Sequence, residues 1–313
     1  MSLNILVTGC GGDIGQSIGK ILNSHKDFNK IIGCDISDKN PSQFIYEDFF
    51  VSLPCSHPDY IKYIESVVES KKIDIVIPIA EPELRFFARI NHLDKIGDAK
   101  LLTANLKALQ IGFDKLETSN FLKKNNLPFP KTEVLADSNK PIEYPVLIKS
   151  RTGSGSSSIF IAQDQHDYDY LKTKYPDFIV QEALPSEGGE FTCGLFRDQH
   201  GEIRTIILKR ELQGGYSGYG EVIINSEIEQ LLIDIAKHLD LIGSINVQLR
   251  LSKRGPVVFE INPRFSSTVL FRHMFGFEDL VWTLQTLTDK PIDNYNKVTK
   301  GRKFYKGFEE YII

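Results

Sequence analysis

Apolar and polar positions follow two different rhythms along this chain, and the change falls near Asp114. Residues 4–8, NILVT, form a short apolar run that breaks into glycines; Ile14, Ile18, Ile21 and Leu22 then recur at helical spacing, which predicts strand, turn and helix. The apolar run IIGCD ends at Asp35, and IDIVIPIA follows a helically spaced stretch at 60–70. Repeated strand and helix predict a parallel sheet covered on both faces over roughly residues 1–110.

Beyond Asp114 the rhythm shortens. Asp114 followed by Glu117 has the form of a capping box, and the helix it opens runs to about Asn126, before Pro128 and Pro130. PVLIK, a glycine and serine loop at 150–157, and SIFIA then read as strand, loop, strand. DFIVQEA, EFTCGLF, EIRTIILKREL, SINVQLRL and GPVVFEIN follow as strands, with one helix at about 227–239. The turns RDQHGE and SKRGP mark hairpins, so this half is expected to be mostly antiparallel. Residues 270–288 return to helical spacing.

Composition narrows the class. A chain of 313 residues suits two or three modules. With a net charge of -4 and 25% charged residues there is no basic field for a polyanion, so nucleic acid is not the expected partner. No apolar stretch reaches the roughly 20 residues of a membrane helix and nothing resembles a signal peptide, so a cytoplasmic location away from membranes is expected. Cys10, Cys34, Cys55 and Cys193 are scattered without metal-ligand spacing and read as buried small hydrophobes.

The segment TGCGGDIG, with Gly9, Gly12 and Gly15 after a strand and Asp35 ending the next, fits a dinucleotide fingerprint. A dehydrogenase of that kind also needs a tyrosine with a lysine four residues on, and Tyr170 with Lys174 or Tyr168 with Lys172 has the spacing. Both pairs lie beyond the stretch of regular alternation. The glycines also read as close packing of helix on strand without any dinucleotide.

The chemistry concentrates in the second half. Pairing NVQLRL with GPVVFEIN about a turn centred on Arg254 sets Gln248 opposite Glu260, with Asn262 one pleat along the same face. Three hard oxygen donors suit Mg²⁺, which takes one or two carboxylates, phosphate oxygens and water; an ordinary half-exposed strand pair has the same pattern. Arg264 then places a guanidinium beside the phosphates, where phosphoryl transfer needs positive charge. Lys149 ends a strand just before small residues able to fold over phosphates as a lid, or to form a plain hairpin tip. In VQEALPSEGGEF the backbone of Glu182, Ala183 and Leu184 can meet an adenine and Glu190 can meet ribose hydroxyls, although surface carboxylates would look alike.

In this order the motifs resemble the ATP-grasp superfamily, and within it the branch of the carbamoyl-phosphate synthase large subunit. The resemblance covers nearly the whole chain: NILVTGCGGDIGQSIGK and IVIPIAEPEL resemble the preceding Rossmann-like domain, and GFDKLETSNFLKKNNLPFPKT resembles the entry to the grasp. It implies an α/β then α+β architecture: a Rossmann-like pre-ATP-grasp domain at 1–112, a small lobe with a phosphate lid at 113–184, and a lobe carrying the metal and catalytic site at 185–313. It further implies nucleotide contacts from Lys115, Lys149, the lid residues Ser154, Gly155, Ser156, Ser157 and Ser158, the adenine hinge Gln181, Glu182, Ala183 and Leu184, and the ribose ligand Glu190. Gln248, Glu260 and Asn262 match the metal ligands, Arg264 matches the phosphate-facing arginine, and Arg210 lies where relatives place basic residues facing an acyl-phosphate.

The expected cofactors are ATP and Mg²⁺, with Mn²⁺ as a substitute, and the expected substrates are a carboxylic acid and an amine, or less often a thiol. The expected reaction passes through an acyl-phosphate and releases ADP and phosphate. A homodimer is the default expectation for assembly. Phe265, Ser266, Ser267 and Thr268 stand where the family often has paired glycines, which alters the pocket floor. The chain shows neither a second synthetase half nor a glutaminase, so carbamoyl phosphate synthesis itself is not expected. A dehydrogenase and a non-catalytic ATP-binding regulatory module are the rival readings.

Overall fold

A computed structural model describes residues 3–139, 143–153, 158–307 and 309–312. In chain order the first part comprises β1 (Leu3–Thr8), α1 (Asp13–Ser24), β2 (Phe28–Asp35), a short 3-10 turn at Pro41–Phe44, β3 (Asp48–Val51), α2 (Tyr60–Lys71), β4 (Ile75–Pro78), α3 (Glu81–Arg89), β5 (Lys95–Ile96), β6 (Ala99–Leu101) and α4 (Leu106–Gly112). The middle part has α5 (Lys115–Lys124), β7 (Thr132–Val134), β8 (Val146–Lys149), β9 (Ile159–Ala162), α6 (Gln165–Lys174) and β10 (Ile179–Glu182). The last part has β11 (Glu190–Arg197), β12 (Ile203–Gln213), β13 (Tyr216–Val222), α7 (Ser226–His238), β14 (Gly243–Ser252), β15 (Gly255–Asn262), α8 (Val269–Met274), α9 (Asp279–Leu287) and β16 (Lys303–Tyr305).

Among the described residues these strands form three sheets. The first has the order β3-β2-β1-β4-β6-β5 and is parallel apart from the β5/β6 pair. Its inner strands β1, β2 and β4 carry apolar runs because both faces are covered there: Ile5 and Val7 pack toward α1, while Leu6 and Val76 pack toward α2. The second, β7-β10-β8-β9, is antiparallel and has its own small core of Leu135, Val146, Ile148, Tyr168 and Val180. The third is the antiparallel sheet β15-β14-β11-β12-β13-β16. One of its faces packs Val247, Leu249, Val258 and Ile261 against α4, α5 and α7.

The third sheet and the N-terminal domain are not independent. Phe265, Val269, Leu280 and Leu284 share one core with Ile5, Val7, Ile18 and Ile77. The segment after β15 is therefore fixed to the N-terminal sheet, and Arg264 sits at this seam.

Several elements depart from the pattern seen in the sequence. β13, YSGYGEV, is a strand despite two glycines, because a Cβ at Gly220 would lie 2.4 Å from the Phe304 ring of β16. β3 and β6 are too short to carry a periodic signal. Asp114 does cap α5, its Oδ1 accepting from the amides of Leu116 (2.9 Å) and Glu117 (3.3 Å). Among the described residues no helix is long and apolar enough to cross a membrane.

Candidate functional site

The glycine-rich loop of the N-terminal domain is filled by its own chain. Gly9 adopts φ +65, and a Cβ there would lie 2.8 Å from the Ala80 Cβ. The amide of Gly11 donates to Asp35 Oδ2 at 2.8 Å, and Asn40 occupies the space beside Gly11. A Cβ on Gly15 would fall 2.4 Å from the Cys10 carbonyl oxygen, so this glycine serves the packing of α1 on the turn that follows β1. The carboxylate a dinucleotide ribose would need is thus engaged by the loop itself. Tyr170 and Lys174 lie on exposed turns of α6, hydrogen-bonded to each other at 3.2 Å. Tyr168 is buried in the core of the second sheet with its hydroxyl against Ser138. Neither pair belongs to the domain that carries the glycines.

The cleft between the second and third sheets gathers the polar residues. It encloses about 260 Å³, near the lower bound of small-ligand clefts, and is lined by Lys149, Gln181, Glu190, Arg210, Gln248 and Glu260 among others. Lys115, Ser158, Glu182 and Leu184 also line it. Of the remaining lid positions, Ser154, Gly155, Ser156 and Ser157 lie outside the described residues. Ala183, Asn262 and Arg264 are not on its wall.

The hairpin β14/β15 turns at Lys253 and Arg254, pairing Ser252 with Gly255, half a residue from the centre expected in the sequence. Continued regularly, that register would set Gln248 against Phe259. A bulge intervenes: Leu249 pairs with Val258, Gln248 pairs with Glu260, and Phe259 is the extra residue. Phe259 and Glu260 consequently both face the cleft, while Val258 and Ile261, three apart, both enter the core. Asn262 pairs with Asn246 one step along the same face, and its carbonyl accepts from the Arg264 amide at 2.8 Å.

The donors near Gln248 and Glu260 are hard oxygens, and among the described residues no three of His, Cys, Asp and Glu gather as a metal cluster. One carboxylate with amide oxygens fits a hard cation that draws its remaining ligands from phosphate and water, as Mg²⁺ does. Lys149, only 5% exposed at the end of β8, faces the same cleft. Burial lowers its pKa to about 8, and the neighbouring Lys115 adds to the shift while Glu260 opposes it. The Lys115 ammonium donates to the Gly153 carbonyl at 2.7 Å, and the Lys115 amide to the Arg151 carbonyl at 3.0 Å. Arg151 in turn holds Asp114 Oδ2 at 2.6 Å, so the loop after β8 is latched to the start of α5.

Register places Glu190 between Arg210 on β12 and Arg250 on β14. Burial alone would raise its pKa, but the two guanidiniums outweigh that and hold the carboxyl below the usual range. Arg210 Nη2 also donates to Gln248 Oε1 at 2.9 Å. Arg250 was not singled out in the sequence, although it lies two residues beyond Gln248 and so on the same strand face, a signal that period two supplies. Glu182 is tied to the β14/β15 turn by Arg254 at 2.5 Å and accepts from the Lys131 amide at 3.1 Å.

Arg264 is at the seam with the N-terminal domain. Its Nη1 donates to the Phe265 carbonyl at 2.9 Å. Burial lowers its pKa, opposed by the carboxylates of Glu81, Glu260 and Asp13. It therefore stands behind the carboxylate that lines the cleft, on the side of the N-terminal domain.

A two-lobed cleft of antiparallel sheets behind a Rossmann-like domain defines the class, and the chain is an ATP-grasp protein. The family description "ATP-grasp domain" matches residues 113–268, and "PylC-like, N-terminal domain" matches residues 5–97. A curated relative, the carbamoyl-phosphate synthase of Methanobrevibacter smithii, is 27% identical over 135 residues, covering 41% of this chain. The match spans only 36% of that relative's length. Among solved structures, N5-carboxyaminoimidazole ribonucleotide synthetase in complex with ADP superposes with a TM-score of 0.75 at 17% identity, over 95% of this chain and 80% of the other. The biotin carboxylase domain of Hydrogenobacter thermophilus 2-oxoglutarate carboxylase, a dimer with MgADP and bicarbonate, gives 0.77 at 12% identity over 97% and 74%. These likenesses establish the fold.

Proposed function

We propose that this protein is an ATP- and Mg²⁺-dependent ligase that joins a carboxylic acid to an amine, releasing ADP and phosphate. The observation that carries the reading is the single cleft into which Gln248 and Glu260, aligned across β14 and β15, and Lys149 all project. The small and C-terminal modules at 113–184 and 185–313 line it, and the Rossmann-like module at 1–112 stands behind them.

In this reading the adenine lies along Gln181, Glu182, Ala183 and Leu184, and the ribose against Glu190. Lys115, Lys149 and the lid at 154–158 hold the phosphates. Gln248, Glu260 and Asn262 hold Mg²⁺, or Mn²⁺ in its place, whose charge neutralises phosphate oxygens during transfer. The substrate carboxylate attacks the γ-phosphorus, the bond to the β-bridging oxygen breaks, and ADP leaves with the electron pair. Arg210 and Arg264 neutralise the charge spread over the phosphoryl oxygens and on the acyl-phosphate. An amine then forms the C–N bond, phosphate departs from the acyl carbon, and the amine gives up a proton. Exclusion of water by the lid protects the acyl-phosphate. A thiol can take the amine's part in the same sequence. The substrates are small molecules, the protein acts in the cytoplasm, and it assembles as a homodimer.

The test is a screen for ADP release with Mg²⁺, ATP and pools of carboxylic acids paired with amines. Release that needs an acid and grows with an amine supports the ligase. Tight MgATP binding with no release in any pool overturns it in favour of a regulatory module, and thermal stabilisation by NAD but not by MgATP overturns it in favour of a dehydrogenase.

A further inference from the structure

The two arginines that flank Glu190 differ in what else they hold. Arg210 gives Nε and Nη2 to Glu190 Oε1 at 3.1 and 2.7 Å, and the same Nη2 reaches Gln248 on the phosphate side of the cleft. Arg250 gives Nε and Nη2 to Glu190 Oε2 at 3.1 and 2.8 Å. Its Nη1 donates to the Leu184 carbonyl at 2.9 Å, and its guanidinium carbon lies 5.9 Å from the centre of the Phe259 ring.

Four N–H groups therefore occupy the carboxylate of Glu190, which offers about four lone-pair positions. A ribose hydroxyl can donate to Glu190 only after one guanidinium yields an oxygen. Arg210 has an alternative partner as soon as a nucleotide enters, because its second contact already points toward the phosphate end and phosphates are anionic. Arg250 has none. Its departure would leave both the Leu184 carbonyl and a half-buried carboxylate oxygen without their donors.

We propose that Arg250 is a positioning residue for nucleotide recognition: it locks the ribose-facing carboxylate of Glu190 to the base-side carbonyl of Leu184, and the ribose binds at the Glu190 oxygen that Arg210 releases. The inference rests on the ATP site described above and assigns to Arg250 a part in choosing between ribose and deoxyribose. Arg210 then serves the phosphates, and Arg250 the nucleoside.

Titration calorimetry with Mg²⁺ and ADP, 2′-deoxy-ADP or 3′-deoxy-ADP tests this on the full chain. The wild type is expected to bind ADP more tightly than at least one deoxy analogue. Arg250→Met is expected to lose about tenfold or more in ADP affinity and to bring the ratio of ADP to deoxy-ADP affinity toward one. Arg250→Lys is expected to recover part of the affinity, Glu190→Gln to lose the same preference, and Arg210→Met to keep it. A wild-type preference retained in Arg250→Met or in Glu190→Gln overturns the inference, as does a wild type that binds ADP without any preference. A wild type that does not bind MgADP at all overturns the ATP site itself, so the two failures are distinguishable.

Discussion

Gln248 stands opposite Glu260 although the turn joining their strands would, by its own register, set Gln248 against Phe259. The extra residue puts an aromatic ring and a carboxylate side by side on the cleft wall. Their substitution should have separable effects. Glu260→Ala is expected to lower ADP release by about a hundredfold or more with the fold retained by circular dichroism. Phe259→Ala is expected to act mainly on nucleotide affinity, read as a raised KM for ATP with a smaller change in kcat. Normal ADP release by Glu260→Ala contradicts the metal assignment.

Lys149 gives the nucleotide site a pH dependence. Its pKa in the folded, unliganded protein is near 8, so the charge that would meet phosphate is lost as pH rises through 8. ATP affinity should weaken above that pH, while Lys149→Arg keeps its charge and removes the break. The sign for stability is opposite. Between about 8 and the ordinary lysine value of 10.5 the unfolded chain holds the proton and the folded protein does not, so this group makes stability rise with pH there. Lys149→Met should raise the melting temperature at pH 7 and weaken nucleotide binding, which differential scanning fluorimetry and calorimetry measure.

Glu83, in the first turn of α3, is buried at the C-terminal end of β1 and accepts from the hydroxyls of Thr8, at 2.7 Å, and of Tyr60. Burial pushes its pKa up to about 7 from 4.5. Between those values the folded protein keeps a proton that the unfolded chain has lost, so stability should fall as pH rises from about 4.5 to about 7. Glu83→Gln should flatten this slope in urea denaturation at a series of pH values.

Arg272 and Asp279 meet at 3.3 Å with neither side chain exposed. Removing one partner strands the other, so Arg272→Met or Asp279→Asn should cost about 3–5 kcal/mol in denaturant unfolding. Replacing both by apolar residues should recover much of that loss. Gly194→Ala should also destabilise, because its Cβ would fall 2.4 Å from Arg272 Nη1.

The filled glycine loop predicts that NAD leaves the melting temperature unchanged. Gly15→Ala should lower it, since the added Cβ meets backbone of β1's following turn rather than open space. A substantial stabilisation by NAD would contradict this account.

The sequence carried the architecture wherever one period ran long enough. The runs around Ile5, Ile32 and Ile77 and the helical spacing of α1, α2 and α7 were readable because sheet burial demands them. β13 was hidden because Phe304, distant in sequence, is what requires its glycine. The facing of Gln248 and Glu260 was legible from strand pairing, but Phe259 was not, since a bulge has no periodic mark. Arg250 shares the face of Gln248 by period two, but its pairing with Glu190 is set only by the order of β12, β11 and β14 in the third sheet. The dinucleotide fingerprint failed for the converse reason: its glycines are spaced correctly, and Asp35 and Asn40 occupy the room they leave.

The sheet of β7 to β10 keeps a core of its own, whereas the third sheet shares one core with Leu84 and Ala104 of the N-terminal domain, and α8 and α9 share another with that domain. Admission of a ligand can therefore proceed by swinging the smaller body on its tethers, with no apolar contact inside either body surrendered. Amide exchange should report two rigid blocks, with faster exchange at the strands' connecting segments than within either block.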